Sequence, residues 1–209
     1  MDLFEAIKKR RTIRDFEEKE VDKEIIEQII SAGLKAPTND HMRNWEFVVI
    51  TDKAEKAKLI ATLPKTMSKL DTEAILDNWY MTDEKQRKMY MDGIPKQFNM
   101  LYNSSCLILP FFKQDWPLLK PESIASLNPF ASIWMCIENI FLAATTYGLY
   151  GVVRIPAAEG EGEHIQRIIG HPDNYIMPCY ISLGYPKADA IIHKQHEYEA
   201  KDKIHINKW

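Results

Sequence analysis

The segment from Ala131 to Tyr147 constrains the fold more than any other part of the sequence, because it is apolar on nearly every side. Its large apolar residues occupy all helical positions: Ile133, Trp134, Met135, Ile137, Ile140, Phe141 and Leu142. A helix that is apolar all round has to be buried all round. A chain of 209 residues offers little room for that, so the segment predicts a buried helix that also lies at a subunit interface.

The remaining pattern predicts an α+β fold. Branched and aromatic residues are typical of strands, and they mark strands at 45–51, 104–112 and 175–183, with a short extended piece at 150–155. The run at 104–112 is apolar on both faces, which is typical of a central strand. Helices are predicted from capping residues, apolar periodicity and helix stops at 2–10, 22–36, 52–63 and 163–169.

Two further segments differ from this core. Residues 65–102 are polar and helix-prone with scattered methionines and aromatics, which predicts an insertion of about two helices that covers a pocket. The alternative is that these side chains only pack the insertion onto the body. The tail at 187–209 is too polar for a core of its own but carries isoleucines that need cover, so we expect it to dock on the partner subunit. Residues 1–209 are predicted to be one domain.

Composition excludes several functional classes. The net charge is −3, which does not favour nucleic acid as a partner. We see no apolar run of about 18 residues and no signal-peptide pattern, so no membrane partner is expected. Cys106, Cys136 and Cys179 are far apart in apolar runs, which predicts buried free thiols in a reducing, cytoplasmic compartment.

The stretch Arg10-Arg11-Thr12-Ile13-Arg14 is a compact anion receptor. Guanidinium groups form charge-assisted hydrogen bonds to phosphate, and a hydroxyl can add another. In an extended chain Thr12 and Arg14 point one way and Ile13 points into a core. The alternative is a solvated basic turn.

The polar loop at 38–44, between the helix that Pro37 ends and the strand from Trp45, is a good place for a ligand, although it is also compatible with an ordinary turn. Motifs for dinucleotide binding, a P-loop or a nucleophile elbow do not occur. His193 and His196 lack companions for a metal site, so we interpret them as part of a solvated tail and predict no metal. What remains suits a flat aromatic cofactor that bears a phosphate.

These residues give the chain a resemblance to the nitroreductase family of dimeric, FMN-dependent flavoenzymes. Residues 10–16 resemble its R-R-S-x-R-x-F phosphate motif, and 36–47 its A-P-S-x-x-N-x-Q-P-W-x-F stretch. The helix at 137–149 resembles Q-N-L-x-L-A-A-x-x-L-G-L, and 178–186 the terminal strand with its G-Y-P. The resemblance implies a central antiparallel sheet flanked by helices, with a C-terminal tail that extends onto the partner.

The resemblance also implies FMN-binding residues, which fall into three groups. Arg10, Arg11, Thr12 and Arg14, with Lys201 and Lys203 near the C-terminus, would hold the phosphate and ribityl chain. Residues from the other subunit would line the flavin: Pro37, Thr38, Asn39, His41 and Ser132. Backbone groups of Val153, Arg154 and Ile155 would meet the flavin ring. Because the flavin carries the chemistry, no catalytic side chain is predicted.

Several positions depart from the family pattern. His41, Arg43 and Asn44 replace its Asn, Gln and Pro, and Tyr150 replaces a Gly. Arg154 and Pro156 replace smaller residues, and an extra Arg charge near the ring could stabilise an anionic reduced flavin. These changes affect the expected substrate more than the expected cofactor.

The implied activity is an NADH- or NADPH-dependent FMN oxidoreductase. It would reduce an electron-poor acceptor, such as a nitroaromatic or a quinone, by a ping-pong mechanism in a homodimer. One alternative is a flavin-dependent dehalogenase or dehydrogenase on the same fold, with Tyr150 and Arg154 as specificity residues. The others are a flavin-binding or sensing module without turnover and an apo anion-binding scaffold.

Overall fold

The computed structural model describes residues 1–38 and 40–209, and its centre is a five-stranded sheet. The strands are β1 (Trp45–Ile50), β2 (Cys106–Lys113), β3 (Tyr150–Arg154), β4 (Tyr175–Ile176) and β5 (Tyr180–Gly184). Their order is β1-β2-β5-β3, and the short β4 pairs with the end of β2. Every pairing of these strands is antiparallel.

Helices flank this sheet, which confirms the predicted α+β class. They are α1 (Leu3–Lys9), α2 (Lys23–Gly33), α3 (Lys53–Leu59), α4 (Lys69–Asn78), α5 (Glu84–Gly93), α6 (Gln97–Tyr102), α7 (Asn128–Thr146) and α8 (Glu161–Ile169). The carboxylate of Asp2 accepts a hydrogen bond from the Glu5 N–H at 2.8 Å. Asp52 caps α3 in the same way, and both caps satisfy donors that a helix start leaves free.

The sheet separates two apolar cores. Along β2, Ile108 and Phe112 belong to the core beneath α2 and α7. Leu107 and Leu109 belong to the core beneath α3, α6 and α8. Because β2 is buried on both faces, the prediction of a central strand at this position is confirmed.

Helix α7 lies at the centre of the first core. It approaches α2 closely at Gly33, where an added Cβ would lie 2.7 Å from Cγ1 of Ile140 and 2.9 Å from Sγ of Cys136. The stretch Ile124–Thr146 is the one among the described residues that is long and apolar enough to span a membrane, but its packing marks it as a core helix. Met135 on α7 is still 43% exposed, so the single chain does not cover the helix completely.

Three details differ from the sequence predictions. The expected strand at 175–183 is divided into β4 and β5 around Pro178, which has no N–H for a strand ladder. Segment 65–102 contains the three helices α4, α5 and α6. Asp22 was the capping residue behind the helix predicted at 22–36, but its side chain makes no cap hydrogen bond at the start of α2.

The three cysteines are free and buried, as predicted. Burial raises the pKa of each thiol to about 12. A thiol needs a lowered pKa to act as a nucleophile at neutral pH, so none of them is suited to catalysis.

Candidate functional site

The arginine stretch lies against the edge of the sheet at β3. Thr12 forms a bridge with Gly151, and the Ile13 N–H donates to the Gly151 carbonyl at 3.1 Å. An added Cβ on Gly151 would lie 2.1 Å from the Ser182 carbonyl oxygen, so only glycine fits here. Ile13 is 3% exposed, which confirms that it points into the core between Thr12 and Arg14.

A cavity of about 590 Å³ opens beside this stretch. We call it the arginine pocket. Its floor carries Arg11, Thr12 and Arg14, and its walls come from the start of α5 and from residues 192–196 and 198 of the tail. The pocket thus combines three segments that are far apart in sequence. The basic and hydroxyl groups expected to bind a phosphate are brought together here.

Arg14 is the half-buried cation of the arginine pocket. An added Cβ on Gly93, the last residue of α5, would lie 2.9 Å from the Arg14 Nε. Burial lowers the pKa of Arg14, while the charge of Asp92 opposes this shift. Asp92 is itself paired with Lys96 at 2.7 Å. Among the described residues the Arg14 guanidinium has no ion-pair partner, and a desolvated cation of this kind is stabilised by an anionic ligand.

The tail is fixed over the arginine pocket by three polar contacts. Nη2 of Arg11 donates to the His193 carbonyl at 3.0 Å. Nε2 of His193 lies 3.0 Å from Asp92, and Nε2 of His196 lies 3.0 Å from Asp83. The side chain of His193 is only 13% exposed, so the interpretation of both histidines as a solvated tail is wrong for His193.

Three of the predicted phosphate ligands lie elsewhere in the single chain. Arg10 Nε is 3.4 Å from Glu138 on α7. Lys201 pairs with Glu199 at 2.6 Å, and Lys203 Nζ lies 4.4 Å above the Tyr198 ring. None of the three lines the arginine pocket.

The polar loop contributes to a different cavity of about 540 Å³, which we call the loop pocket. Thr38 and Ser132 line it together with Trp45 and residues after β2. Asn39 lies outside the described residues. The Oγ1 of Thr38 is buried without a hydrogen-bond partner among the described residues, which leaves it available to a ligand. Pro37 and His41 are exposed and lie beside this cavity without lining it.

The conformation of the polar loop could not be read from its composition. His41 has a φ of 59° and Arg43 a φ of 47°, the left-handed region that residues other than glycine rarely adopt. Arg43 stabilises this shape because its Nε donates to the Leu34 carbonyl at 2.8 Å and its Nη1 to the His41 carbonyl at 3.2 Å. The family departure at Arg43 thus has a structural role.

At the end of β3, Arg154 is 7% exposed and pairs with Glu161, which is 1% exposed. Nη2 donates to Oε2 of Glu161 at 3.1 Å, Nη1 donates to Oε1, and Nε donates to Gln97 at 3.1 Å. The Tyr180 hydroxyl donates to Glu161 at 3.0 Å. The hypothesis that the charge of Arg154 stabilises a reduced flavin is therefore not supported, because Glu161 neutralises it.

Glu161 also holds the loop that follows β3. It accepts hydrogen bonds from the N–H groups of Ala157 at 3.0 Å and Ala158 at 3.1 Å. Burial raises the pKa of Glu161, but the hydrogen bonds from Arg154 and Ala158 outweigh burial and hold the pKa below its ordinary value. Val153 is half-buried and Ile155 is exposed, so this part of the backbone is fixed near the surface.

Of the predicted site residues that the structure describes, five line two pockets that share no lining residue. The arginine pocket offers cations and a hydroxyl, and the loop pocket offers an unpaired hydroxyl and a tryptophan. Lys85, Lys194 and His193 also line the arginine pocket. They were missed as site residues because no local signal links positions that are more than a hundred residues apart.

The chain is similar to known proteins along most of its length. The sequence model of the nitroreductase family matches residues 7–185. A protein of Methanothermobacter thermautotrophicus named "Putative NADH dehydrogenase/NAD(P)H nitroreductase" is 28% identical over 211 residues, covering 100% of this chain and 88% of that protein. The iodotyrosine deiodinase of Haliscomenobacter hydrossis is 25% identical over 205 residues, covering 98% and 87%.

A solved structure has a similar fold. Oxidized iodotyrosine deiodinase bound to FMN and 3-iodo-L-tyrosine matches 100% of both chains with a TM-score of 0.74 at 16% identity. At this level of identity the likeness concerns the fold alone.

Proposed function

Because this chain belongs to the nitroreductase family, we propose that it is an FMN-dependent oxidoreductase that uses NADH or NADPH to reduce an electron-poor acceptor, such as a nitroaromatic or a quinone. The observation that carries the proposal is the arginine pocket. Arg11, Thr12 and Arg14 converge on one cavity, and the Arg14 guanidinium has no partner among the residues described. A phosphate monoester fits this donor set because guanidinium and hydroxyl groups both donate to phosphate oxygens.

A complete site needs two copies of the chain in this proposal. The loop pocket shares no residue with the arginine pocket, so we propose that Thr38, Ser132, Pro37, Asn39 and His41 line the flavin bound by the other subunit. Exposed apolar residues on α1, on α7 and in the tail support a dimer: Leu3, Phe4, Ile7, Met135, Ile204, Ile206 and Trp209. An exposed apolar surface of this kind is typical of an interface.

The same proposal gives roles to the peripheral segments. In the tail, residues 187–209, the part that carries Lys201 and Lys203 extends onto the partner and brings them to a phosphate there, while residues 192–196 and 198 line the arginine pocket of their own chain. Segment 65–102 is an insertion in a single domain of residues 1–209, and it covers the site, since Lys85, Gln86 and Met89 of α5 already line the arginine pocket. Buried free thiols fit a reducing compartment such as the cytoplasm.

The chain's own residues bind and orient in this proposal. Arg11, Thr12 and Arg14 hold the phosphate, and the backbone of 153–155, fixed through Arg154 and Glu161, supports the ring. Bound FMN would supply hydride and electron transfer. Consequently we assign no catalytic acid or base.

The test is an absorbance spectrum of the purified protein before and after anaerobic addition of NADH or NADPH. We expect bound oxidised flavin, bleaching by reduced nicotinamide, and recovery of the absorbance when a nitroaromatic or quinone is added. A colourless protein that does not take up added FMN would overturn the proposal. A yellow protein that neither nucleotide bleaches would instead favour a sensing module without turnover.

Reductive dehalogenation is the second candidate, because iodotyrosine deiodinase is similar along 98% of this chain. Steady-state rates with a halogenated phenol and with a nitroaromatic on the same FMN-loaded protein separate the two reactions. A specificity role is open to Tyr150, which is half-buried, but the Arg154 side chain is already held by Glu161.

A further inference from the structure

A second basic cavity adjoins the arginine pocket. It has a volume of about 570 Å³ and is lined by Arg11, Lys85, Lys194, Gln195, His196 and Glu197. It shares Arg11 with the arginine pocket but does not include Thr12 or Arg14. We call it the lysine subsite. It lies between the first turn of α5 and the tail.

The cations of the lysine subsite outnumber the carboxylates that line it. No carboxylate within 4.0 Å balances Arg11, Lys85 or Lys194 in the part of the chain that the structure describes. The carboxylate of Asp83, one residue before α5, is 3.0 Å from His196. Its pKa is lowered first by the hydrogen bond from the Gln86 N–H and then by His196. Glu197 is exposed, so three cations face one solvated carboxylate.

The chain places these cations around one cavity. Arg11 donates to the His193 carbonyl at 3.0 Å, and His193 and His196 are each 3.0 Å from an aspartate at opposite ends of α5. Lys194 lies between these two anchored histidines, and Lys85 lies two residues after Asp83. Bringing cations together is unfavourable unless an anion joins them, so the arrangement is suited to an anionic ligand.

We infer that Lys85 and Lys194 bind the 2′-phosphate of NADPH beside Arg11, which also contacts the FMN phosphate, and that the two lysines make this enzyme prefer NADPH to NADH. This inference rests on the proposed function and names its reductant. Thr12 and Arg14 remain for the phosphate of FMN, so the lysine subsite is free for a second phosphate group. A phosphate monoester concentrates about two negative charges on one group at neutral pH, and lysines bind phosphate as point charges.

The test uses the FMN-loaded protein and two probes, adenosine 2′,5′-bisphosphate and 5′-AMP, which differ by the 2′-phosphate. Isothermal titration calorimetry should show that the bisphosphate binds about tenfold or more tightly than 5′-AMP. In the double variant Lys85→Gln, Lys194→Gln this ratio should fall to about one, because charge-assisted contacts are lost. The ratio of kcat/KM for NADPH to that for NADH should fall in parallel.

Two controls define the outcome. Lys88→Gln changes an exposed lysine of α5 that does not line the lysine subsite, and it should leave the ratio unchanged. FMN affinity should stay within about twofold in the double variant, since Thr12 and Arg14 are intact. Single variants at Lys85 and Lys194 provide the same comparison if the double variant folds poorly.

Several results would overturn the inference. Equal binding of the two probes by the wild-type protein excludes a 2′-phosphate site. A loss of FMN affinity in the double variant as large as in Arg14→Ala assigns all of these cations to the flavin phosphate. Both results leave the proposed function intact, whereas a colourless protein that ignores FMN overturns the proposed function as well.

Discussion

Arg14 carries a positive charge into a half-buried position, and among the described residues no carboxylate forms an ion pair with it. Replacing it by alanine should therefore remove a charge-assisted pair with the FMN phosphate. We expect FMN affinity to fall by about 1.5–3 kcal/mol, roughly ten- to a hundredfold. Flavin fluorescence titration of Arg14→Ala measures this, with Arg167→Ala on the exposed side of α8 as the control. If Arg14→Ala binds FMN as tightly as the wild type does, Arg14 does not bind the FMN phosphate.

The negative charge of Glu161 is predicted to stabilise the fold. Glu161→Gln leaves the buried Arg154 guanidinium without a counter-charge, which costs about 3–5 kcal/mol. Urea unfolding at pH 7 should show this loss, whereas Glu163→Gln, exposed on the same helix, should be nearly neutral.

The pH dependence of that difference follows from the lowered pKa of Glu161. A carboxyl whose folded pKa is depressed stabilises the fold above its unfolded pKa, about 4.3. This stability is lost as the pH falls through the folded pKa. The gap between wild type and Glu161→Gln should therefore be constant from pH 6 to 8 and narrow below about pH 4. A gap that stays constant down to pH 3 would show that the fold does not lower the pKa of Glu161.

For single residues, the sequence predicted which way a side chain points, but not which residue it forms an ion pair with. Alternation placed Ile13 in the core and Arg14 in a pocket, because an extended segment fixes which side each residue faces. The partners of Arg10 and Arg154 could not be predicted in the same way. Glu138 and Glu161 belong to helices whose positions depend on the whole fold.

Among the helices and strands, α5 forms one wall of the arginine pocket. Its last residue, Gly93, leaves space for the Arg14 guanidinium, and a methyl group would lie 2.9 Å from Nε and 3.2 Å from Cζ. Gly93→Ala should keep the stability, because a flexible side chain can move away and alanine favours helix by about 1 kcal/mol. FMN affinity should nevertheless fall several-fold, since Arg14 is displaced.

The matched control for this prediction is Gly162→Ala, because nothing lies within 4 Å of the added Cβ there. Thermal unfolding and flavin titration are measured on both variants. If Gly93→Ala binds FMN as tightly as Gly162→Ala does, the position of Arg14 against α5 does not matter for the cofactor.

Elements with strong periodicity were predicted well, and their exceptions have local causes. β2 was recognised because both of its faces are apolar, and α7 because it is apolar nearly all round. The strand at 175–183 was predicted as continuous because its residues are typical of a strand throughout, although Pro178 divides it. The number of helices in 65–102 was uncertain because their apolar residues are few and scattered.

For the whole molecule, the sequence alone could not place the tail. The contacts of His193 with Asp92 and of His196 with Asp83 join positions about a hundred residues apart, and neither partner has a local pattern that names the other. The family motifs predicted the arginine pocket, but the lysine subsite depends on this long-range placement. Sequence patterns therefore do not predict a site whose residues come from segments that are far apart in the chain.

The exposed apolar face on α1 and α7 leads to the prediction that the protein is a dimer. Phe4 is 82% exposed and Met135 is 43% exposed, and the ion pair of Arg10 with Glu138 joins their two helices. In the proposed dimer this face is buried, and burying a large apolar side chain contributes about 1.5–3 kcal/mol. Sedimentation of the wild type should therefore give twice the 24.3 kDa mass of the chain.

The double variant Phe4→Glu, Met135→Glu places two unpaired charges in that interface, which costs more than the apolar contacts contribute. It should sediment as a single chain and lose FMN, because the loop pocket of the partner no longer covers the flavin. Leu70→Glu, at a residue on α4 that is 76% exposed, should remain dimeric and yellow. A monomeric double variant that keeps its flavin would show that one chain is sufficient to bind the cofactor, and the shared site would then be wrong.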